Sequence, residues 1–172
     1  MLEAAGIPIL SDDARVADED NPRGYYELAA VKRLKEDARF LEGAVGRAVK
    51  VVAPLVASLP EGPAYRIVFM ERDLEEVLAS QHAMMARRGS VDGAPDDAMR
   101  LAFRDLLERV TGQLVARPDV EIRFFAHAML LRLPELVAER MADFIGGIEP
   151  DRVAAMAACV EAPLHRRRRH PA

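Results

Sequence analysis

A short, almost continuously apolar segment in the middle of the chain, Tyr65–Met70, restricts the possible folds more than any other feature. After Arg66 every residue of this segment is apolar, which is typical of a strand buried on both faces of a parallel sheet. The next segment, Asp73–Arg88, carries apolar residues at helical spacing. Because parallel strands need a crossover connection that is usually a helix, this order of segments predicts an α/β protein.

The other predicted elements also alternate between strands and helices. Two further strands are predicted, at Ala48–Val52 and Val120–Phe125. Further helices are predicted over Leu28–Leu41, Asp96–Ala116, Pro134–Phe144 and Asp151–Cys159. We therefore expect a three-layer fold with a parallel sheet flanked by helices, in one domain over residues 1–163 with a basic tail at 164–172.

Composition sets the broad class of the protein. The 172 residues are 51% apolar and 30% charged, as in soluble globular domains, and the apolar runs fall short of the roughly 18 residues of a membrane span. The single cysteine, Cys159, excludes an internal disulfide, and the start has no secretory signal, so we expect a cytoplasmic setting. Few lysines among many arginines and alanines suggest a bacterial source.

The charge balance argues against a general nucleic-acid binder. The net charge is −4, and four of the bases form the run Arg166–Arg169 in the predicted tail. Without that run the rest of the chain is more acidic still, whereas nucleic-acid binding needs a basic face. The run is interpreted either as a solvated tail or as a contact for phosphates or an acidic partner.

The junction after the Tyr65–Met70 strand is the first candidate binding site, because ligands of open α/β sheets bind beyond the carboxyl ends of the strands. Arg72 leaves the strand and Ser80 lies about two turns into the helix, so a guanidinium and a hydroxyl can bind one phosphate together. The structural alternative makes Asp73 the helix cap, with Glu76 completing a capping box. Spacing alone favours this alternative.

The segment Tyr65–Ser80 resembles the 3′-phosphate motif of the P-loop sulfotransferases, in which an Arg ends a strand, an Asp or Asn follows, and a Ser lies eight positions after the Arg. The resemblance implies that Arg72 and Ser80 bind the 3′-phosphate of the sulfate donor, 3′-phosphoadenosine 5′-phosphosulfate. It also implies a P-loop NTPase-like sulfotransferase fold and transfer of a sulfuryl group to a small-molecule hydroxyl or amine acceptor.

The resemblance extends over most of the chain. Arg47–Pro54 is similar to a strand that carries a lysine and a histidine in cytosolic sulfotransferases; Lys50 matches the lysine, whereas Val52 stands where the histidine is expected. Asn21–Glu27 and Val137–Gly147 are similar to segments of bacterial sulfotransferase-like proteins.

Two residues are candidates for catalysis on this basis. Lys50 is expected to stabilise charge on the transferred group, or else to snorkel from a strand edge. Glu27 is the candidate base for the acceptor because Val52 cannot serve; the favoured alternative is a first-turn glutamate that interacts with a helix dipole. His82 and His127 each stand alone in the sequence, and no cluster of ligands predicts a metal site.

One part of the family pattern has no counterpart in this sequence. The family begins with a strand and a Gly-rich loop that holds the 5′-phosphosulfate, whereas Met1–Gly6 resembles the end of the helix after that loop. We therefore expect a domain that lacks its first strand and loop, and we regard Met1 as a doubtful start. The alternative function is that of a truncated, non-catalytic domain that binds a nucleotide or a protein. A missing strand also predicts self-association through an exposed sheet edge.

Overall fold

The computed structural model describes residues 1–12, 21, 24–87 and 96–160. Within these residues it contains two 3-10 segments, Ala29–Arg33 and Arg39–Gly43, and the elements α1 (Ala53–Val56), β1 (Tyr65–Glu71), α2 (Leu74–Arg87), α3 (Asp96–Val115), β2 (Val120–Ala126), α4 (His127–Arg132), α5 (Pro134–Ile145) and α6 (Pro150–Ala158). The chain is mixed α/β, which confirms the coarse fold class. The predicted tail at 164–172, with the run Arg166–Arg169, lies outside the described residues.

In the described part of the chain, the strands β1 and β2 form a two-stranded parallel sheet. They pair in register from Tyr65 opposite Val120 to Glu71 opposite Ala126. The helices α2 and α3 make the crossover between them, as a parallel pair requires. Both carboxyl ends of the strands therefore lie level at one edge of the sheet.

Each face of the sheet covers its own hydrophobic cluster. On one face, Tyr65, Ile67, Val120 and Ile122 pack against Leu34, Val56, Leu59, Val110 and Leu114. On the other face, Val68 and Phe125 pack with residues of α5, α6 and the first turn of the chain: Ala5, Val137, Ala138, Met141, Ala142, Met156 and Ala157. Because side chains of a strand alternate between its faces, β1 contributes to both clusters.

The expectation that β1 is buried on both faces is wrong. Arg66, Met70 and Glu71 are exposed and the other residues of the strand are only half-buried. The reason is that the hydrophobic clusters of the described residues cover only part of each face: Tyr65 and Ile67 pack into one cluster and Val68 into the other. The apolar run predicted the strand correctly but overestimated its burial.

The predicted helix Leu28–Leu41 is wrong, because the chain there forms the two separate 3-10 segments. The carboxylate of Asp37 accepts a hydrogen bond from the backbone N–H of Arg39, at 3.1 Å, and from its guanidinium Nε, at 2.9 Å. Local bonds of this kind from an aspartate compete with the helical backbone pattern. They account for the break between the segments.

The predicted strand Ala48–Val52 is reduced to an isolated parallel bridge between Ile9 and Ala48. The N–H of Ala48 donates to the Pro8 carbonyl at 2.9 Å, and the N–H of Leu10 donates to the Ala48 carbonyl at 2.8 Å. The ladder stops there because the N–H of Asp12, which would continue it toward Val52, donates to the Glu27 carbonyl at 3.3 Å instead. The helix α1 begins directly after Val52.

The described residues include one helix that the sequence did not predict. The short helix α4 was not predicted, since His127–Arg132 directly follows the strand β2 without a turn signal. None of the helices in this part of the chain combines the length and the apolar character that a bilayer span demands.

An ion pair between Arg117 and Asp119 ties together the amino-terminal ends of the two strands. The Arg117 guanidinium donates to Asp119 Oδ1 at 3.0 Å and to the carbonyls of Leu59 and Pro60 at 2.6 and 2.9 Å. Asp119 also accepts a hydrogen bond from the N–H of Gly62 at 3.2 Å. The pair therefore fixes the loop before β1 against the turn before β2.

This pair predicts an acid-sensitive contribution to stability. The hydrogen bond from Arg117 lowers the pKa of Asp119 from 3.8 to about 2. A carboxyl group with a lowered pKa in the folded state stabilises the protein above the unfolded pKa and loses that effect as the pH falls toward the folded pKa. We expect Asp119→Asn to flatten the dependence of the unfolding free energy on pH between 3.8 and about 2, measured by urea denaturation.

The matched control is Asp105→Asn, at an exposed position of α3. It should leave the acid branch of the stability curve unchanged. If the unfolding free energies of Asp119→Asn and of the unaltered chain fall equally with decreasing pH, the proposed contribution of the Arg117–Asp119 pair is wrong.

Candidate functional site

Arg72 is the first residue after β1 and lies at the carboxyl edge of the sheet. The register pairs Glu71 with Ala126, so Arg72 and His127, the first residue of α4, leave the two strands at the same level. Parallel sheets bind ligands beyond this edge. In the sequence, His127 has no candidate site residue near it. The register of the two strands places it at the edge of the sheet where Arg72 lies.

The guanidinium of Arg72 pairs with Glu76 one helical turn further on. Its Nε donates to Glu76 Oε2 at 3.1 Å, and the side chains of Arg72 and Glu76 are 35% and 14% exposed. The two Nη nitrogens of Arg72 make no hydrogen bond to a described residue. A guanidinium anchored through Nε in this way keeps two further nitrogens with which it can bind an anion.

Asp73 caps the helix α2, as the structural alternative predicted. Its Oδ1 accepts hydrogen bonds from the backbone N–H groups of Glu75 at 2.9 Å and Glu76 at 3.3 Å, while its carbonyl accepts the N–H of Val77 at 3.1 Å. Capping by Asp73 and anion binding by Arg72 use different groups, so the two interpretations of this junction are compatible.

Ser80 lies on α2 one turn beyond Glu76 and is half-buried. Glu76 and Ser80 are four residues apart on α2 and so share a face of the helix. Arg72 precedes the helix and joins this row through its contact with Glu76. We call these three residues the Arg72–Glu76–Ser80 row. The row places a carboxylate between the two groups that were predicted to bind a phosphate, a feature that the sequence analysis assigned only to capping.

Arg100 holds the first turn of α2 against α3. Its Nε donates to Glu75 Oε1 at 2.7 Å, and its Nη1 donates to Asp97. These carboxylates, Glu75 foremost, raise the pKa of Arg100. Glu75 and Arg100 are far apart in sequence, and no pattern in the sequence pointed to this contact. It supports the row by fixing the orientation of the helix that carries it.

Lys50 and Glu27, the candidate catalytic residues, lie in one neighbourhood. The Lys50 ammonium donates to the carbonyl of Tyr25 at 2.8 Å and lies 6.0 Å from the centroid of the Tyr25 ring. Glu27 is two residues further along the same extended segment, and its carbonyl accepts the hydroxyl of Ser11 at 3.1 Å. Lys50 is thus bound to the segment that carries Glu27, two residues before that glutamate.

The alternative role of Glu27, as a first-turn glutamate, is wrong. The nearest helical segment begins at Ala29 and has no acidic residue in its first turn. The N–H of Ala29 instead donates to Asp12 Oδ2 at 2.5 Å. Lys50 is exposed, which agrees with the snorkelling alternative as well as with a role in binding.

The segment that carries Glu27 is anchored by Tyr26. Its hydroxyl donates to Glu3 Oε2 at 2.7 Å, and its backbone has a φ of 49°, a left-handed conformation that few non-glycine residues adopt. No pattern in the sequence predicted this conformation. It bends the chain between Tyr25, which binds Lys50, and Glu27.

The remaining candidates add no further chemistry. His82 is half-buried on α2. In the part of the chain that the structure describes, no three His, Cys, Asp or Glu side chains are grouped closely enough to hold a metal ion. Val52, at the position of the expected histidine, is 54% exposed.

The cap of α2 generates a direct prediction. Removing a side-chain cap costs about 1 kcal/mol of stability. We expect Asp73→Ala to lower the unfolding free energy by about that amount, whereas Asp73→Asn keeps the cap oxygen and changes it little. Urea denaturation of both variants measures the difference, and equal destabilisation by the two substitutions would contradict a capping role.

Comparison with protein-family models, with curated proteins and with solved structures finds no match to this chain.

Proposed function

We propose that this chain is a sulfotransferase-family domain in which Arg72 and Ser80 bind the 3′-phosphate of 3′-phosphoadenosine 5′-phosphosulfate. The observation that carries the proposal is the position of Arg72, directly after β1 at the carboxyl edge of a parallel sheet, with Ser80 on the helix that follows. A guanidinium fork binds two phosphate oxygens and a hydroxyl binds a third. The order and spacing of these residues match the family motif.

The proposed fold is a three-layer, P-loop NTPase-like sheet. The packing of helical clusters against both faces of the sheet supports this proposal. The setting we propose is the cytoplasm, in keeping with one cysteine, Cys159, whose thiol donates to the Met156 carbonyl at 3.1 Å.

The proposed reaction is an in-line displacement at sulfur. The acceptor oxygen or nitrogen forms a bond to the sulfuryl sulfur as the bond from sulfur to the bridging phosphate oxygen breaks, which releases adenosine 3′,5′-bisphosphate. Lys50 stabilises the negative charge that develops, and the Glu27 carboxylate takes the proton of the acceptor. The Lys50 ammonium has three donors, of which the Tyr25 carbonyl accepts one.

A second candidate function is nucleotide binding without transfer. Val52 presents a half-exposed aliphatic side chain where a histidine base is expected, and the Lys50 ammonium is bound to backbone. Such a domain would retain the phosphate contacts of Arg72 and Ser80 and would act through its complex with a nucleotide or a protein.

Titration calorimetry with adenosine 3′,5′-bisphosphate tests the binding proposal. We expect micromolar affinity for the unaltered chain and a loss of about tenfold to hundredfold in Arg72→Ala, since hydrogen bonds to charged groups are worth about 1.5–3 kcal/mol. Ser80→Ala removes one neutral donor and should cost about threefold to tenfold. The control Arg109→Ala removes an exposed arginine of α3 and should bind as the unaltered chain does; absence of binding by the unaltered chain overturns the proposal.

The carboxylate in the Arg72–Glu76–Ser80 row predicts an effect in the opposite direction. Glu76 competes with a phosphate for Arg72 and repels its charge. We expect Glu76→Gln to bind adenosine 3′,5′-bisphosphate several times more tightly in the same titration. Weaker binding by this variant would mean that Glu76 holds Arg72 in its binding position.

Transfer of labelled sulfate separates the two candidate functions. If the chain catalyses transfer, Lys50→Met and Glu27→Gln should bind adenosine 3′,5′-bisphosphate normally and transfer sulfate at least tenfold more slowly. Binding without transfer by the unaltered chain favours the second candidate.

A further inference from the structure

Within the described residues, the strand β2 has a partner strand on one edge only. It pairs with β1 on one side, and on its other side the described residues contribute no strand. Among the residues that the structure describes, the backbone bond that β2 makes outside the sheet ladder is the turn bond from the N–H of Val120 to the Arg117 carbonyl, at 3.3 Å. Natural proteins protect such edges with proline or with charged side chains; β2 contains no proline, and its charged residues are Glu121 and Arg123. Its edge is therefore open to a further strand.

The side chains of β2 carry a self-complementary charge pattern. Glu121 and Arg123 are exposed, have opposite charges and are separated by one residue, so they lie on the same face. Ile122 lies between them on the opposite face. Phe124 is 38% exposed although it is a large apolar residue.

We propose that β2 pairs in antiparallel fashion with β2 of a second copy of this chain, about a two-fold axis at Ile122. In this register Glu121 of each copy lies opposite Arg123 of the other, which gives two cross-strand ion pairs. Val120 of each copy lies opposite Phe124 of the other and covers it. The result is a four-stranded sheet that is continuous through two copies, and it does not depend on nucleotide binding.

Charge selects this register over the neighbouring one. An axis at Arg123 would set the two Arg123 side chains directly against each other, and like charges opposite one another are unfavourable.

The same argument selects β2 over β1. An axis at Val68 would pair Arg66 with Met70 and Tyr65 with Glu71, which gives no pair of opposite charges. Of the two strands, only β2 has opposite charges placed symmetrically about one of its residues, Ile122.

The contacts within one copy leave both charged groups able to make the proposed pairs. Glu121 Oε2 lies 3.5 Å from Arg66 Nε, and the Glu121 side chain is 66% exposed. Arg123 Nη1 donates to the Arg140 carbonyl at 3.2 Å, and its guanidinium lies 5.0 Å from the Phe144 ring centroid. A carboxylate accepts several hydrogen bonds and a guanidinium has five donors, so each group has capacity for another partner.

Charge-swap variants measured by sedimentation velocity test the proposal. The unaltered chain should sediment as a dimer at about 100 μM. Glu121→Arg alone and Arg123→Glu alone place like charges opposite each other and should each weaken dimerisation at least about tenfold. The double variant Glu121→Arg/Arg123→Glu restores opposite pairs and should dimerise again. An equimolar mixture of the two single variants should form a heterodimer for the same reason.

Circular dichroism and urea denaturation establish that each variant is folded, and Phe124→Lys provides a second way to block the edge if a charge variant fails to fold. The control Arg132→Glu, an exposed residue of α4, should dimerise normally. A monomeric unaltered chain overturns the proposal. So does a dimer that persists in the single variants, or a double variant that stays monomeric.

Discussion

The in-register parallel pairing of β1 with β2 is the constraint on which the rest of the described structure depends. It sets the carboxyl ends of both strands level, so Arg72 and His127 emerge at one edge. At the opposite ends of the strands, the ion pair of Arg117 and Asp119 joins the loop and the turn that lead into them. Each face of this narrow sheet then covers one hydrophobic cluster.

Because a sheet of two strands has two open edges, the same pairing has a further consequence. The strands cannot bury both faces and both edges within the described residues, and apolar side chains such as Met70 and Phe124 stay partly exposed. The proposed pairing of β2 with a second copy closes one of these edges. The proposed nucleotide site uses the carboxyl ends of the strands, so the two proposals involve separate parts of the sheet.

The sequence predicted those parts of the structure that depend on local pattern. The strands β1 and β2 and the helix α3 were located to within a residue at each end, since long periodic runs and Pro118 define them. The predicted helix Leu28–Leu41 has helical apolar spacing but does not form, because the Asp37 side chain binds the backbone N–H of Arg39 within it. The predicted strand at Ala48–Val52 did not form because its partner segment bonds elsewhere after Leu10: the N–H of Asp12 donates to the Glu27 carbonyl, a contact between distant residues that no local pattern predicts.

In the candidate site, too, contacts between residues close in sequence were predicted and contacts between distant residues were not. Asp73 as a cap follows from residues two and three apart in sequence, and it was foreseen. The contact of Arg100 with Glu75 and the approach of Lys50 to Tyr25 each join residues 25 positions apart, so no local pattern predicts them.

The most direct test of the central claim is ¹⁵N NMR of the Arg72 Nε–H group, assigned with Arg72→Lys. Its resonance should shift on titration with adenosine 3′,5′-bisphosphate and stay unchanged with adenosine 5′-monophosphate; no shift with the bisphosphate, or equal shifts with both, would contradict a 3′-phosphate site at Arg72.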